Sequence, residues 1–169
     1  MGLLKKVDDY KTRLSELDFS KIELTKAYKM IKSPALVATK GEKFYDLTPY
    51  GWIMPMDYEP VTKVIFSSDP CHQAVANIRR TKEFAVCCPI DFKESYFNLC
   101  GTVSNPDFDK FMNFKIPSDS VSLVDVKVPK EKLIGWIEFR LLRMIEEGSI
   151  VLVLGEAVAA YAKKDGVLF

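Results

Sequence analysis

The chain has 169 residues, with 24 Lys and Arg against 23 Asp and Glu, a single His, four Cys and 48% hydrophobic residues. A chain of this length buries roughly 70% of the surface its unfolded form exposes, so one domain is expected to fold on its own core without a disulfide or metal scaffold. The net charge of +1 excludes the basic excess that duplex nucleic acid selects, charges scattered through the first 19 residues leave no secretory apolar segment, and no apolar run approaches the ~20 residues of a membrane span. The expectation is a cytoplasmic protein with no nucleic-acid or membrane partner.

In chain order, Leu3, Leu4, Val7, Tyr10 and Leu14 recur at helical spacing and predict an amphipathic N-terminal helix; a second helix is expected over 22–31. Ser33-Pro34 breaks that pattern, and 35–39 reads as a strand ending at the turn Lys40-Gly41-Glu42. Further strands are expected over 51–54, 62–66, 83–88, 121–126, 136–145 and 150–161. The last two flank Glu146-Glu147-Gly148-Ser149, whose glycine favours a tight hairpin. Short helices are expected over 70–80, 92–99 and 106–114. The first places Ala74, Val75 and Ile78 on one face, Pro70 in its first turn, and Ser68 or Asp69 as cap. Two helices followed by a β-rich body lack the alternation of a doubly wound sheet, so a mainly β barrel is predicted.

Cys87 and Cys88 are neighbours in an apolar run; their side chains are expected on opposite faces of a strand, as small buried hydrophobes. With Cys71, Cys100 and the lone His72 they form no zinc-ligand spacing, so no metal site is expected.

Three stretches carry candidate chemistry. Ser67-Ser68-Asp69-Pro70-Cys71-His72 joins a strand to a helix start, where free N–H groups, two hydroxyls and an imidazole suit a phosphate; simple helix capping explains the same residues. Leu47-Thr48-Pro49-Tyr50-Gly51-Trp52-Ile53-Met54-Pro55 forces an irregular strand with flat aromatic surface beside backbone amides. It reads equally as a stacking site for a planar heteroaromatic ligand and as a core aromatic cluster. Lys110, between Phe108 and Phe111, reaches an anionic ligand or snorkels, with solvation the default, and Glu156 reads as a partly buried, paired carboxylate.

Several segments together resemble the flavin reductase-like family of FMN-binding split barrels, which includes flavoredoxins. They are residues 33–39, Pro49-Tyr50-Gly51-Trp52-Ile53-Met54-Pro55, Pro60 ahead of 61–66, Asn77-Ile78-Arg79-Arg80-Thr81-Lys82-Glu83-Phe84-Ala85-Val86, Cys100-Gly101, Asp109-Lys110-Phe111 and Leu154-Gly155-Glu156-Ala157-Val158. The resemblance spans roughly 22–161. It implies a split-barrel domain over 22–169 behind an N-terminal helical extension over 1–21, a homodimer, and one FMN per subunit near the subunit boundary. Carried over, Thr48, Tyr50, Gly51 and Trp52 would line the isoalloxazine and ribityl chain, while Ser67, Ser68 and His72 would hold the phosphate, so the resemblance favours the phosphate reading over capping. Members that use a nicotinamide cofactor commonly carry Gly-Asp-His in the last hairpin, where this chain has Glu147-Gly148-Ser149. The resemblance therefore implies an oxidoreductase or electron-transfer flavoprotein fed by NAD(P)H or a small redox protein, with slow direct reduction by nicotinamide expected from Ser149. The alternatives are a flavin-binding module without turnover and a structural β-barrel interaction protein.

Overall fold

A computed structural model describes residues 18–93 and 95–164. The elements in chain order are β1 (Phe19–Lys21), a single 3-10 turn (Ala27–Met30), β2 (Ala35–Lys40), β3 (Tyr45–Tyr50), β4 (Ile53–Asp57), β5 (Lys63–Ser68) and α1 (Gln73–Thr81). They continue with β6 (Glu83–Pro89), α2 (Phe97–Cys100), α3 (Lys110–Asn113), β7 (Ser118–Ser120), β8 (Lys127–Pro129), β9 (Leu133–Glu147) and β10 (Ile150–Lys163). One antiparallel sheet runs β3-β2-β6-β9-β10-β5-β4, with β1 added to the far end of β10, and β7 and β8 form a separate small hairpin. One edge of β10 pairs with β9; the other serves β5 along 151–156 and β1 along 161–163, and two register shifts against β9, at Leu154/Gly155 and Ala157/Ala159, mark where β10 bends between them. Gly155 is required at that bend: a Cβ there would stand 2.6 Å from the Phe84 ring, which stacks on Phe139.

The mainly β barrel expected from the sequence is the architecture found. Alternation along β2 and β6 sends side chains into two core layers. Val37, Phe66, Phe84, Val86, Ile137 and Phe139 fill the barrel, while Leu36, Ala38, Leu47, Ala85 and Trp136 pack against the 96–128 segment on the other face. Cys87 and Cys88 fall into opposite layers, both buried, as their adjacency predicts.

Burial lifts the thiols of Cys88 and Cys100 to about 12, and that of Cys87 upward as well, whereas Cys71 is exposed. The thiolate is the reactive form, so a disulfide exchange reagent is expected to modify Cys71 alone in the native protein and all four cysteines in denaturant. The same shifts carry a sign for stability. The unfolded chain ionises first, so this contribution is intact below about pH 9 and is lost as pH rises toward 12.

Other expectations are corrected. The helix over 22–31 is instead an extended arm ending in one 3-10 turn. Its backbone is spent on long-range partners: Ile22 N–H donates to Ala160 O, Leu24 O accepts from both Thr62 N and Thr62 Oγ1, and Tyr28 N–H donates to Thr62 Oγ1. The sheet thus begins at Phe19, ahead of residue 22, while the helix expected over 3–14 lies outside the described residues. The strand expected over 51–54 is displaced: 45–50 is a full strand, Gly51-Trp52 is a bend, and β4 starts at Ile53. The strand expected over 121–126 is a bent loop, because the fully buried Glu138 carboxylate collects the N–H groups of Ser122, Leu123 and Val124 at 3.0, 2.6 and 3.2 Å, and the Ser122 hydroxyl at 2.8 Å. The helices expected over 92–99 and 106–114 shrink to α2 and α3, the latter capped by Asp109 through Met112 N–H.

Candidate functional site

A cavity of about 400 Å³ opens where the bend between β3 and β4 faces the end of β5 and the turn into α1. Pro49, Tyr50, Gly51 and Trp52 form one wall, Ser67, Ser68, Asp69 and His72 the other, and Ser149 and Ile150 of the β9–β10 hairpin complete it. Alternation along β5 points Ser68 inward with Val64 and Phe66 and leaves Ser67 outward. The Ser33 hydroxyl donates to Gly51 O and holds the bend. A Cβ on Gly51 would meet nothing within 4 Å, so that side of the bend is open space, and the Trp52 ring stands 78% exposed at the rim.

The floor is a hydrogen-bonded chain. Tyr50 Oη lies 2.8 Å from Ser68 Oγ, which is 3.1 Å from Asp69 O and 3.3 Å from His72 Nδ1. Burial pushes the Tyr50 phenol up to about 12, so it holds its proton at neutral pH and donates to Ser68 Oγ. The Ser68 hydroxyl donates to Asp69 O, and its contact with His72 Nδ1 takes its direction from the imidazole tautomer. His72, rather than Ser68 or Asp69, is the N-cap of α1, and its side chain makes no capping bond. The Asp69 carboxylate accepts from Cys71 N–H at 2.8 Å, and Gln73 N–H donates to Ser104 Oγ at 3.3 Å, so the helix start is already partly satisfied.

Of the residues singled out from sequence, Tyr50, Gly51, Trp52, Ser67, Ser68 and His72 converge on this cavity, and Thr48 does not. Thr48 is buried one turn of the pleat away and donates to Asp46 Oδ2 at 3.0 Å. Lys110, expected in solvent, is 1% exposed: its Nζ bonds Leu47 O at 2.8 Å and Asp46 Oδ1 at 2.9 Å, pinning the strand that leads into the pocket. Sequence reasoning missed Asp46, whose partner lies 64 residues away, and Ser104. Glu156 is half-buried, with Lys63 and Arg140 as its register neighbours on the two adjoining strands.

A volume of this size with aromatic walls, an open glycine, hydroxyls and one imidazole suits a planar ring carrying a polar tail. No group of acidic, His and Cys side chains able to hold a metal ion occurs among the described residues, and none of their helices is long and apolar enough to cross a membrane.

The barrel and the pocket together define a split-barrel protein with a cofactor-sized site. Residues 27–168 match the model of the flavin reductase like domain, and the chain belongs to that family. Among solved structures it is similar to an FMN-binding domain of a flavin reductases-like enzyme from Shewanella baltica, at 18% identity and TM-score 0.75 over 89% of this chain and 82% of that one. It is also similar to flavoredoxin from Methanosarcina acetivorans, at 18% identity and TM-score 0.70 over 80% and 71%. An FMN-binding protein from Thermus thermophilus with bound p-hydroxybenzaldehyde gives 20% identity and TM-score 0.68 over 80% and 74%. No curated protein matches the chain.

Proposed function

We propose that this chain is an FMN-dependent oxidoreductase or electron-transfer flavoprotein, acting in the cytoplasm as a homodimer and passing electrons from NAD(P)H or a small redox protein to a small acceptor. The observation that carries the reading is the facing of two walls in one family fold: Tyr50, Gly51 and Trp52 on one side, and Ser67, Ser68 and His72 on the other. Gly51 and Trp52 would hold the ring of the flavin, and the Ser68 and His72 side chains its phosphate, with Tyr50 orienting Ser68. When bound, the flavin supplies the redox chemistry, and the protein sets its orientation and surroundings. FMN is favoured over FAD because no dinucleotide Gly-x-Gly-x-x-Gly follows any strand.

The dimer reading is supported by an apolar outer face. Through the register, Trp52, Ser67, Leu152 and Ile145 lie in one row and Met54, Ile65, Leu154 and Arg143 in the next, with Trp52 and Met54 well exposed. A largely apolar sheet face at the rim of a pocket, edged by Arg143, is a surface that a second copy of the chain would cover. The purified protein is expected to be yellow, to release FMN on heating, and to scatter light as twice the 19.2 kDa chain mass. A colourless preparation that takes up no flavin, or one that releases FAD, refutes the cofactor reading; a flavin-loaded monomer at every concentration refutes the dimer.

A further inference from the structure

The charge of the flavin cavity is at odds with the group it has to hold. Among the described residues no Lys or Arg lines it, and the Asp69 carboxylate does. A phosphate monoester carries nearly two negative charges at neutral pH, its second ionisation lying near about 6. The start of α1 answers with roughly half a positive charge, and the N–H groups of Cys71 and Gln73 at that end are spent on Asp69 Oδ1 and Ser104 Oγ. The first cations along α1, Arg79 and Arg80, stand about two turns further on and are engaged by Glu146 and by Lys40 O. Titratable groups reach His72 from each element around it: Tyr50 from β3, with ring centroids 6.1 Å apart, Asp69 and Cys71 from the turn, and Glu147 at the hairpin as the cross-strand neighbour of Ile150. A phenol, a thiol and carboxylates cannot become cations. Only the imidazole can, and its charge changes in the neutral range.

The hydrogen-bonded floor decides which ring nitrogen takes the proton. Ser68 Oγ receives the Tyr50 hydroxyl and gives its own proton to Asp69 O, so its 3.3 Å contact with the imidazole is completed by an Nδ1–H. Nε2 is then the unprotonated nitrogen of the neutral ring, and it becomes a donor when the ring is charged. We propose that the pocket takes up a proton from solvent, on His72 Nε2, together with the phosphate end of the flavin, so that FMN binding tightens as pH falls. The proposal rests on the flavin reading and adds the regulation of that same site. Its sign follows from linkage. Bound phosphate favours the charged ring, the complex holds more protons than the free partners, and affinity is lost as pH rises through the range where an imidazole titrates. Riboflavin has the same ring system and no phosphate, so it draws no proton. The pocket therefore discriminates the phosphorylated cofactor most strongly on the acid side of neutrality.

His72 is the only histidine of the chain, so the imidazole resonances of protein carrying isotope-labelled histidine belong to it alone. The experiment follows that signal against pH in flavin-free protein, and again with FMN or with riboflavin bound. The expected result is a titration midpoint raised by about one pH unit or more with FMN and unmoved with riboflavin. In parallel, FMN affinity read by fluorescence quenching falls by about three- to tenfold per pH unit above neutrality, while riboflavin affinity stays level. His72→Gln keeps a donor but cannot titrate, and in it the pH dependence of FMN binding disappears. A midpoint that bound FMN leaves in place, or the same pH dependence of FMN affinity in His72→Gln, overturns the proposal. Failure of the flavin reading shows separately, as no quenching of either flavin. Inorganic phosphate then reads the same labelled ring: a midpoint that it raises upholds the proton uptake, and one that it leaves in place overturns it.

Discussion

FMN affinity is expected to fall by about 10²- to 10⁴-fold in the double variant Ser68→Ala/His72→Ala, measured by quenching of flavin fluorescence. Hydrogen bonds to a charged group are worth about 1.5–3 kcal/mol each, and two of them give about 3–6 kcal/mol, with a factor of ten for every 1.4 kcal/mol. The variant also strips the Tyr50 hydroxyl of its acceptor at 2.8 Å, so its far-ultraviolet circular dichroism and melting temperature serve as the check that the barrel is intact. Adding Tyr50→Phe to the double variant removes that orphaned hydroxyl and is expected to recover stability without recovering affinity. Unchanged FMN affinity in the folded double variant would assign Ser68 and His72 to the turn alone.

The largest effect on stability is expected from Lys110→Met. The Lys110 and Asp46 side chains are 2% and 10% exposed, and the lysine is the only cation bonded to Asp46 among the described residues. Removing it leaves a buried carboxylate with the Thr48 hydroxyl as its remaining bond, at a cost of about 3–5 kcal/mol. For a domain of this size that is a drop in melting temperature on the order of 10 °C. The pair Asp46→Leu/Lys110→Met removes both charges and is expected to recover most of the loss, because an ion pair in an apolar setting contributes little over packed hydrocarbon. A Lys110→Met protein as stable as the wild type would show that Asp46 is relieved by water or protonation instead. Flavin binding is a second readout, since Lys110 also holds Leu47 O in the strand that leads to Tyr50.

These two cases show why the cavity-lining residues were more legible in the sequence than the residues that support them. Tyr50, Gly51, Trp52, Ser67, Ser68 and His72 stand in two short runs whose composition is unusual in itself, and strand-end chemistry is a local property. Lys110 and Asp46, or Glu138 and the 122–124 amides, acquire their meaning only through contacts 14 to 64 residues apart. A lone charged residue in such a sequence reads as solvated because that is the usual fate of lysine. The arm over 22–31 misled for a related reason. Its apolar spacing is compatible with a helix, but Thr62 and Ala160 take up its backbone groups, and tertiary hydrogen bonds override weak helical propensity. Long apolar strands such as β9 and β10 suffered no such ambiguity, since each is anchored on both sides by ladders of its own.

The path of the sheet starts at β3 and ends at β4, two strands that follow one another in the chain and are not paired to each other. The barrel is therefore a cylinder slit lengthwise, and Gly51-Trp52 is the single covalent stitch at the top of the slit. The Tyr50 to Ser68 bond is a second stitch, crossing from the β3 lip to β5 behind the β4 lip. A molecule seated between Trp52 and His72 would rivet the same opening from outside. Filling the pocket then acts on the mechanics of the whole cylinder: amide exchange along the two free lips, β3 and β4, slows together on loading, although those strands lie at opposite ends of the sheet and share no ladder.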